Sequence, residues 1–287
     1  VLKKFIEKGP WMFDWHFAQF QLRAAGPLTV SGMFYVLDNR LDVLMISFFL
    51  DEAEVGIYNA AATIVSTILI IPQAYQVAVL PAMSRLYSDA GKGLKNLYVY
   101  SVKYLLVFAM PMSIIITYWG KDLVSLFGQG FLASLPVLQV LTWMLPLLFL
   151  NVPTARLLVS TRNQRIIAHS LLVRLLLSAT SSVALVLLWG GRGVAIARLI
   201  ASLSMVVVNI HYVHFHLFDL RGLGHILRQI ALASLVFAGV RFVLHALFPI
   251  DLILGSAGYL LFLWVNGFYS QRERELLGNL TRMVILD

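Results

Sequence analysis

The sequence predicts an all-α membrane protein with eight transmembrane helices. Three observations lead there. Hydrophobic residues make up 60% of the 287-residue chain and charged residues only 13%, against about 25% charged in a soluble domain. Eight apolar stretches recur along the chain, each near or above the roughly 20 residues that a spanning helix needs. The Lys and Arg residues between them fall mostly in every second loop, and basic loops stay on the cytoplasmic side of a bilayer.

The spans are expected near 27–50, 55–86, 99–119, 134–159, 166–189, 193–217, 227–247 and 250–269. They are helices because backbone polar groups in hydrocarbon must be satisfied within their own segment. The alternating short strands of a membrane barrel are absent. Residues 1–26, with Trp11, Trp15, Phe17 and Phe20 among Lys and Arg, suit a cytoplasmic amphipathic lead. Asp51-Glu52-Ala53-Glu54 then falls outside, and the basic loop 88–96 inside, with Lys103 counted among its charges. Loop 120–133 falls outside, against the membrane surface. Residues 160–165 are inside, Gly190-Gly191-Arg192 forms a tight outside turn, 219–228 is inside and 249–251 outside. The charged tail 270–287 is inside, so both ends are cytoplasmic. The outside loops hold only Lys121 and Arg192 of the 22 basic residues. The transmembrane unit is therefore 27–269, and no loop leaves room for a soluble catalytic domain. Because the chain opens on Val1 and not Met, further sequence is expected upstream.

The formal charge of +8 is that cytoplasmic bias, with anionic headgroups as its natural contact. No nucleic-acid-reading motif interleaves with the basic residues, so nucleic acid is not a partner. The chain has no cysteine, which excludes disulfides and thiolate metal sites. No P-loop, Rossmann glycine pattern or Ser-His-Asp order is present, and no cofactor is expected. His211, His214 and His216 cluster at the end of the sixth span. They read as an interfacial belt with Tyr212 and Phe215, and no metal is assigned to them.

The polar residues inside the spans carry the chemistry. Pro72 and Pro81 each remove a backbone hydrogen bond and should kink the second span. Gln73 and Gln76 share a face there, and side chains this polar face protein or a watered cavity. Asp38, Arg40 and Asp42 lie within the first span, with Asp38 and Asp42 on one face and Arg40 turned elsewhere. Each charge costs roughly 2.5–3.5 kcal/mol at mid-bilayer unless paired or watered. Two readings stay open: a cavity wall that holds Arg40 towards an anionic substrate, or an ion pair that locks two helices. Arg174 sits deep in its span and is expected to face the cavity. Arg156, Arg198 and Arg241 lie nearer helix ends and are expected to snorkel to headgroups.

The run from Asp42 through Gly56-Ile57-Tyr58-Asn59-Ala60-Ala61 to Leu80-Pro81-Ala82-Met83-Ser84 resembles the polysaccharide, or O-antigen-type, flippases. The stretch Leu135-Pro136-Val137-Leu138-Gln139-Val140-Leu141-Thr142-Trp143 resembles the opening of their tenth helix. These flippases belong to the superfamily that also holds multidrug extruders and lipid II flippases. The resemblance implies one lobe, the C-terminal one, of a two-lobed transporter of 12–14 helices, with the N-terminal lobe missing. It implies a cargo of polyprenyl-diphosphate-linked oligosaccharide moved across the inner membrane by alternating access, and polysaccharide-assembly proteins as partners. It implies a cationic cavity, for which Arg40, Arg174, Asp38, Asp42, Asn59, Gln73 and Gln76 are the candidates, Asp42 at the family's acidic position. The competing readings are a cation-coupled multidrug exporter, which the basic residues oppose, and a membrane-embedded glycan polymerase or ligase, which would present a large external loop. A scaffolding protein would have no need of charge buried at several depths.

Overall fold

The computed structural model describes residues 15–89, 93–244 and 250–269. Among these residues the regular structure is helical, with no strand. The first helix, α1, runs unbroken over Trp15–Phe49. The second predicted span is two helices, α2 (Glu52–Ile68) and α3 (Ile70–Ser88), broken at Leu69. That break falls just ahead of Pro72, whose missing N–H cannot bond back across it, while Pro81 lies within α3. Helix α4 covers Leu94–Ser125, so it continues past the predicted span and shortens the 120–133 loop. A 3-10 turn at Gln129–Ser134 leads into α5 (Leu135–Thr142), and a 40° bend at Trp143 into α6 (Met144–Ser160). Then α7 spans Gln164–His216, α8 Arg221–Leu244 and α9 Ile250–Val265. Each of the eight predicted segments falls on helix over most of its described residues. The N-terminal residues 1–14, the Lys92 loop, the turn at 249, the Arg241 side chain and the tail from 270 lie outside what is described.

The 53-residue α7 is a hairpin. Trp189 and Gly190 leave helical geometry, Gly190 with φ of 56°, a conformation that glycine adopts at no steric cost. The halves 164–188 and 191–216 then run back against each other, as the contact of Arg174 with Met205 shows. The close approach needs Gly193, where a Cβ would collide with the Leu185 carbonyl. We therefore expect Gly193→Ala to cost more than the ~1–3 kcal/mol of ordinary overpacking, since the obstacle is backbone. Gly56, where an added Cβ would meet nothing within 4 Å, should accept Ala within about 0.5 kcal/mol. Monodisperse yield on size exclusion measures both; equal yields would refute the tight hairpin.

Two apolar cores sit towards the two ends of the bundle. One gathers Ile46, Tyr58, Val124, Leu138, Phe149 and Val194; the other Met83, Tyr98, Leu157, Val213, Phe237 and Tyr259. At the first end Glu54 reaches Gly191, so the acidic 51–54 turn and the 189–191 turn meet. Asp51 there is the N-cap of α2, its carboxylate accepting from the Glu54 N–H at 2.9 Å, a favourable place for negative charge. At the other end Tyr212 donates to Asn163 at 2.8 Å, joining the basic 160–165 loop to the close of α7. Turns expected on one side of the membrane thus share one end of the molecule.

Large apolar side chains such as Phe48, Val77, Leu187, Leu188 and Leu235 point outward, the inverse of a soluble surface. Four helical stretches among the described residues are long and apolar enough to cross a membrane by length and composition, or five if the bent pair at Trp143 is one span. Helix α1 is not one of them; it carries three charges in five residues, Asp38, Arg40 and Asp42. Lys103 is not a loop cation. It is buried in α4, donates to the Phe268 carbonyl at 2.6 Å and lies over the Phe268 ring, which pins α4 to the end of α9.

Candidate functional site

Helix α1 packs against the α7 hairpin, and the charges lie along their contact. Asp38 and Asp42, four residues apart, point to the same side of α1 and are buried, while Arg40 is exposed. The two halves of the α7 hairpin each supply one arginine. Arg174 Nη2 lies 3.0 Å from Asp38 Oδ2, an ion pair without the alignment of a hydrogen bond. Arg198 Nη1 makes a short ion pair with Asp42 Oδ2 and donates to the Asp38 carbonyl at 3.1 Å. Tyr58 of α2 donates to the same Asp42 oxygen at 2.7 Å, and Arg198 Nη2 reaches Asn39 at 3.3 Å.

This corrects the sequence reading of Arg198. It does not snorkel to headgroups; it is the second cation of a neutral quartet that joins α1, α2 and both arms of α7. A signal was present in the sequence: Ala195, Ala197, Ala201 and Ser202 surround it, and small residues mark a helix that packs on helices. Desolvating four charges is expensive, and pairing in low dielectric offsets much of that cost.

Two cavities, each with polar side chains set in a mostly apolar lining, flank the quartet. The first, of about 450 Å³, is nearer the acidic turn and is lined by Asn39, Arg40, Asp42, Asn59, Thr63 and Arg198 among others. The second, of about 380 Å³, is nearer the basic loop and is lined by Gln73, Gln76, Asn151, Arg156 and Gln164 among others. Tyr35, Leu69, Leu148 and Arg174 line both, so the Asp38–Arg174 pair stands on the partition. The break at Leu69 therefore falls between the two cavities, with α2 lining one and α3 the other.

The structure thus divides the candidate residues. Arg40, Asn59, Asp42 and Arg174 meet at the first cavity, and Gln73, Gln76 and Arg174 at the second. Asp38 lies behind them as the partner of Arg174. Pro72 lines the second cavity; Pro81 does not line either. Arg156, read from sequence as a headgroup cation, also lines the second cavity, and its Nε is buried. His216 stacks on Tyr212, His211 packs at a tilt against Phe215, and His214 Nδ1 accepts from the Leu220 N–H at 3.0 Å. Among the described residues no group of three His, Asp or Glu side chains is placed to hold a metal ion.

Three comparisons bear on this arrangement. A family profile described as "Polysaccharide biosynthesis protein" matches residues 7–136. The probable low-salt glycan biosynthesis flippase Agl15 of Haloferax volcanii is 23% identical over 266 residues, which are 89% of this chain and 55% of that protein. The chain thus spans about half the length of this curated relative. Among solved structures, the lipid II flippase MurJ in an inward closed conformation superposes with a TM-score of 0.72 at 19% identity, over 96% of this chain and 59% of MurJ. A transporter of the multidrug/oligosaccharidyl-lipid/polysaccharide superfamily from Pyrococcus furiosus superposes with a TM-score of 0.59 at 16% identity, over 86% of this chain and 64% of that one. The three relatives named are flippases or transporters. The chain has the fold of that superfamily, is a multi-pass membrane protein, and resembles its polysaccharide-type flippases as the sequence motifs implied.

Proposed function

We propose that this chain is one lobe, the C-terminal one, of a flippase that carries a polyprenyl-diphosphate-linked oligosaccharide across the cell membrane, without catalysing any bond change. The observation that carries the reading is the set of polar side chains facing two cavities along α1, in a bundle whose outward faces are largely apolar. Buried polar groups in a membrane mark a path for polar cargo, and a lipid-linked sugar needs such a path for its head while its tail stays in hydrocarbon. In this reading Arg40 offers a cation to the diphosphate, Asn59, Gln73 and Gln76 offer hydrogen bonds to sugar hydroxyls, and the Asp38–Arg174 and Asp42–Arg198 pairs hold the wall. A second lobe faces the exposed side of α1, and the two rock about the cavity between them. Residues 1–26 lead in from that lobe, and both ends are cytoplasmic.

Depleting the protein in cells and probing the lipid-linked precursor with an impermeant periodate reagent tests this. Loss of a flippase should leave the precursor intact and shielded, with surface glycan reduced at least tenfold. Loss of a polymerase or ligase would leave it exposed to the reagent, and that outcome would overturn the reading. Orientation is checked separately, because the chain has no cysteine of its own. A single cysteine at Glu52 should label from outside with an impermeant maleimide and one at Arg165 should not; the reverse pattern would invert the topology.

A further inference from the structure

Arg156 sits on the face of α6 that forms one wall of the second cavity, with Asn151, Ala155 and Val159 above and below it. Its surroundings differ from those of Arg174 and Arg198. Both of those are held by a carboxylate. Among the described residues Arg156 has no carboxylate in ion-pair reach; its buried Nε, like that of Arg174, has no hydrogen-bond partner. Among those residues no Asp or Glu lines the second cavity. The remaining polar lining there is mostly amide: Gln73 and Gln76 on α3, Asn151 on α6 and Gln164 at the start of α7. Asn151 is already engaged by Asn209 at 2.8 Å, which leaves the three glutamines and the guanidinium facing one space.

A buried guanidinium nitrogen without an acceptor carries a desolvation cost, larger for a charged group than for a neutral one. An oxyanion in the cavity, met by the outer nitrogens of the same guanidinium, would offset that cost for the group as a whole. The planar fork of donors on Arg suits a phosphate better than any other side chain does, and amide N–H groups can complete the shell. The cavity, at about 380 Å³, falls in the size range of small-ligand sites.

We propose that Arg156, with Gln73, Gln76 and Gln164, forms a binding site for a phosphate-type oxyanion on the basic-loop side of the quartet. The site rests on the flippase reading and extends it by giving the diphosphate of the cargo its own receptor on that side of the partition. The quartet arginines, being neutralised, do not compete for it. Cargo arriving from the basic-loop end then meets Arg156 before it meets the Asp38–Arg174 partition.

The test uses the purified chain in nanodiscs and follows tryptophan fluorescence on heating. One arm adds inorganic pyrophosphate to discs of phosphatidylcholine; the other replaces part of that lipid with phosphatidylglycerol, so free anion and lipid headgroup are told apart. Either ligand should raise the melting point of the wild type. Arg156→Gln should weaken the effect at least tenfold in ligand concentration, Arg156→Lys should keep part of it, and Lys121→Gln, on the exposed far end, should keep all of it. If Arg156→Gln does not fold, Val159→Glu replaces it, since a carboxylate one helical turn away on the cavity wall should occupy Arg156 and abolish the response. Equal stabilisation of wild type and a folded Arg156→Gln or Val159→Glu, or no response in either arm, overturns the site. Those results leave the cell-based periodate outcome untouched, so failure of the site and failure of the flippase reading are separable.

Discussion

Replacing Arg198 with Ala should cost this fold about 3–5 kcal/mol, the range for removing one partner of a buried ion pair. The Asp42 carboxylate would keep the Tyr58 hydroxyl at 2.7 Å but lose its charge partner, while its other oxygen already lacks a hydrogen bond. The second arm of α7 would loosen from α1, because Arg198 also holds the Asp38 carbonyl and Asn39 there. Asp42→Asn should also destabilise, since it keeps an amide that accepts from Tyr58 but leaves the Arg198 guanidinium without its carboxylate. The double variant Asp42→Asn/Arg198→Met should recover a good part of the loss, as matched neutral replacements of buried pairs do. Thermal unfolding of the wild type, Asp42→Asn, Arg198→Met and their double variant in one detergent gives the coupling. Additive losses would mean that the pair is not coupled and that the quartet is not what joins α1 to the hairpin.

The second large effect separates two arginines that the sequence reading treated alike. Arg40 is exposed at the cavity and has no carboxylate in ion-pair reach among the described residues. Arg174 is buried and neutralises Asp38. Arg40→Gln should therefore lower glycan export at least tenfold with protein abundance unchanged. Arg174→Gln should lower abundance and export in step, because it strands a buried carboxylate. Adding Asp38→Asn to Arg174→Gln should restore abundance. Surface glycan measured beside membrane protein level decides the matter. Full export by Arg40→Gln would remove it from the mechanism and leave the anion to Arg156.

Much of the bundle was legible because bilayer thickness imposes one length on apolar segments, and the expected segments fall on helix where they are described. The shared face of Asp38 and Asp42, with Arg40 turned away, followed from helical periodicity alone. What the sequence did not disclose depends on contacts between distant segments. Arg198 and Arg156 lie near helix ends, where an unpaired arginine would reach for headgroups; only the folding back of α7 at Gly190 brings Arg198 to Asp42, 156 residues earlier in the chain. Lys103 looked like part of a basic loop because the Phe268 carbonyl and ring that hold it come from the far end of the chain. The breaks at Leu69 and Trp143 each fall just before a Pro, but a proline fixes only where a hydrogen bond is lost, and the packing decides how far the axis turns. The division of the polar wall into two cavities, with the quartet between them, is a consequence of those turns.

The central claim is that the wall of α1 lines the path of a lipid-linked sugar. Its most direct measurement is flipping in proteoliposomes that hold this chain together with the lobe proposed to face it. A fluorescent polyprenyl-diphosphate oligosaccharide is placed in both leaflets and the outer pool is followed with an impermeant quencher. The account predicts protein-dependent exchange between leaflets that Arg40→Gln reduces at least tenfold and that excess phosphatidylglycerol does not replace. Exchange no faster than in empty liposomes, or exchange indifferent to Arg40, would contradict it.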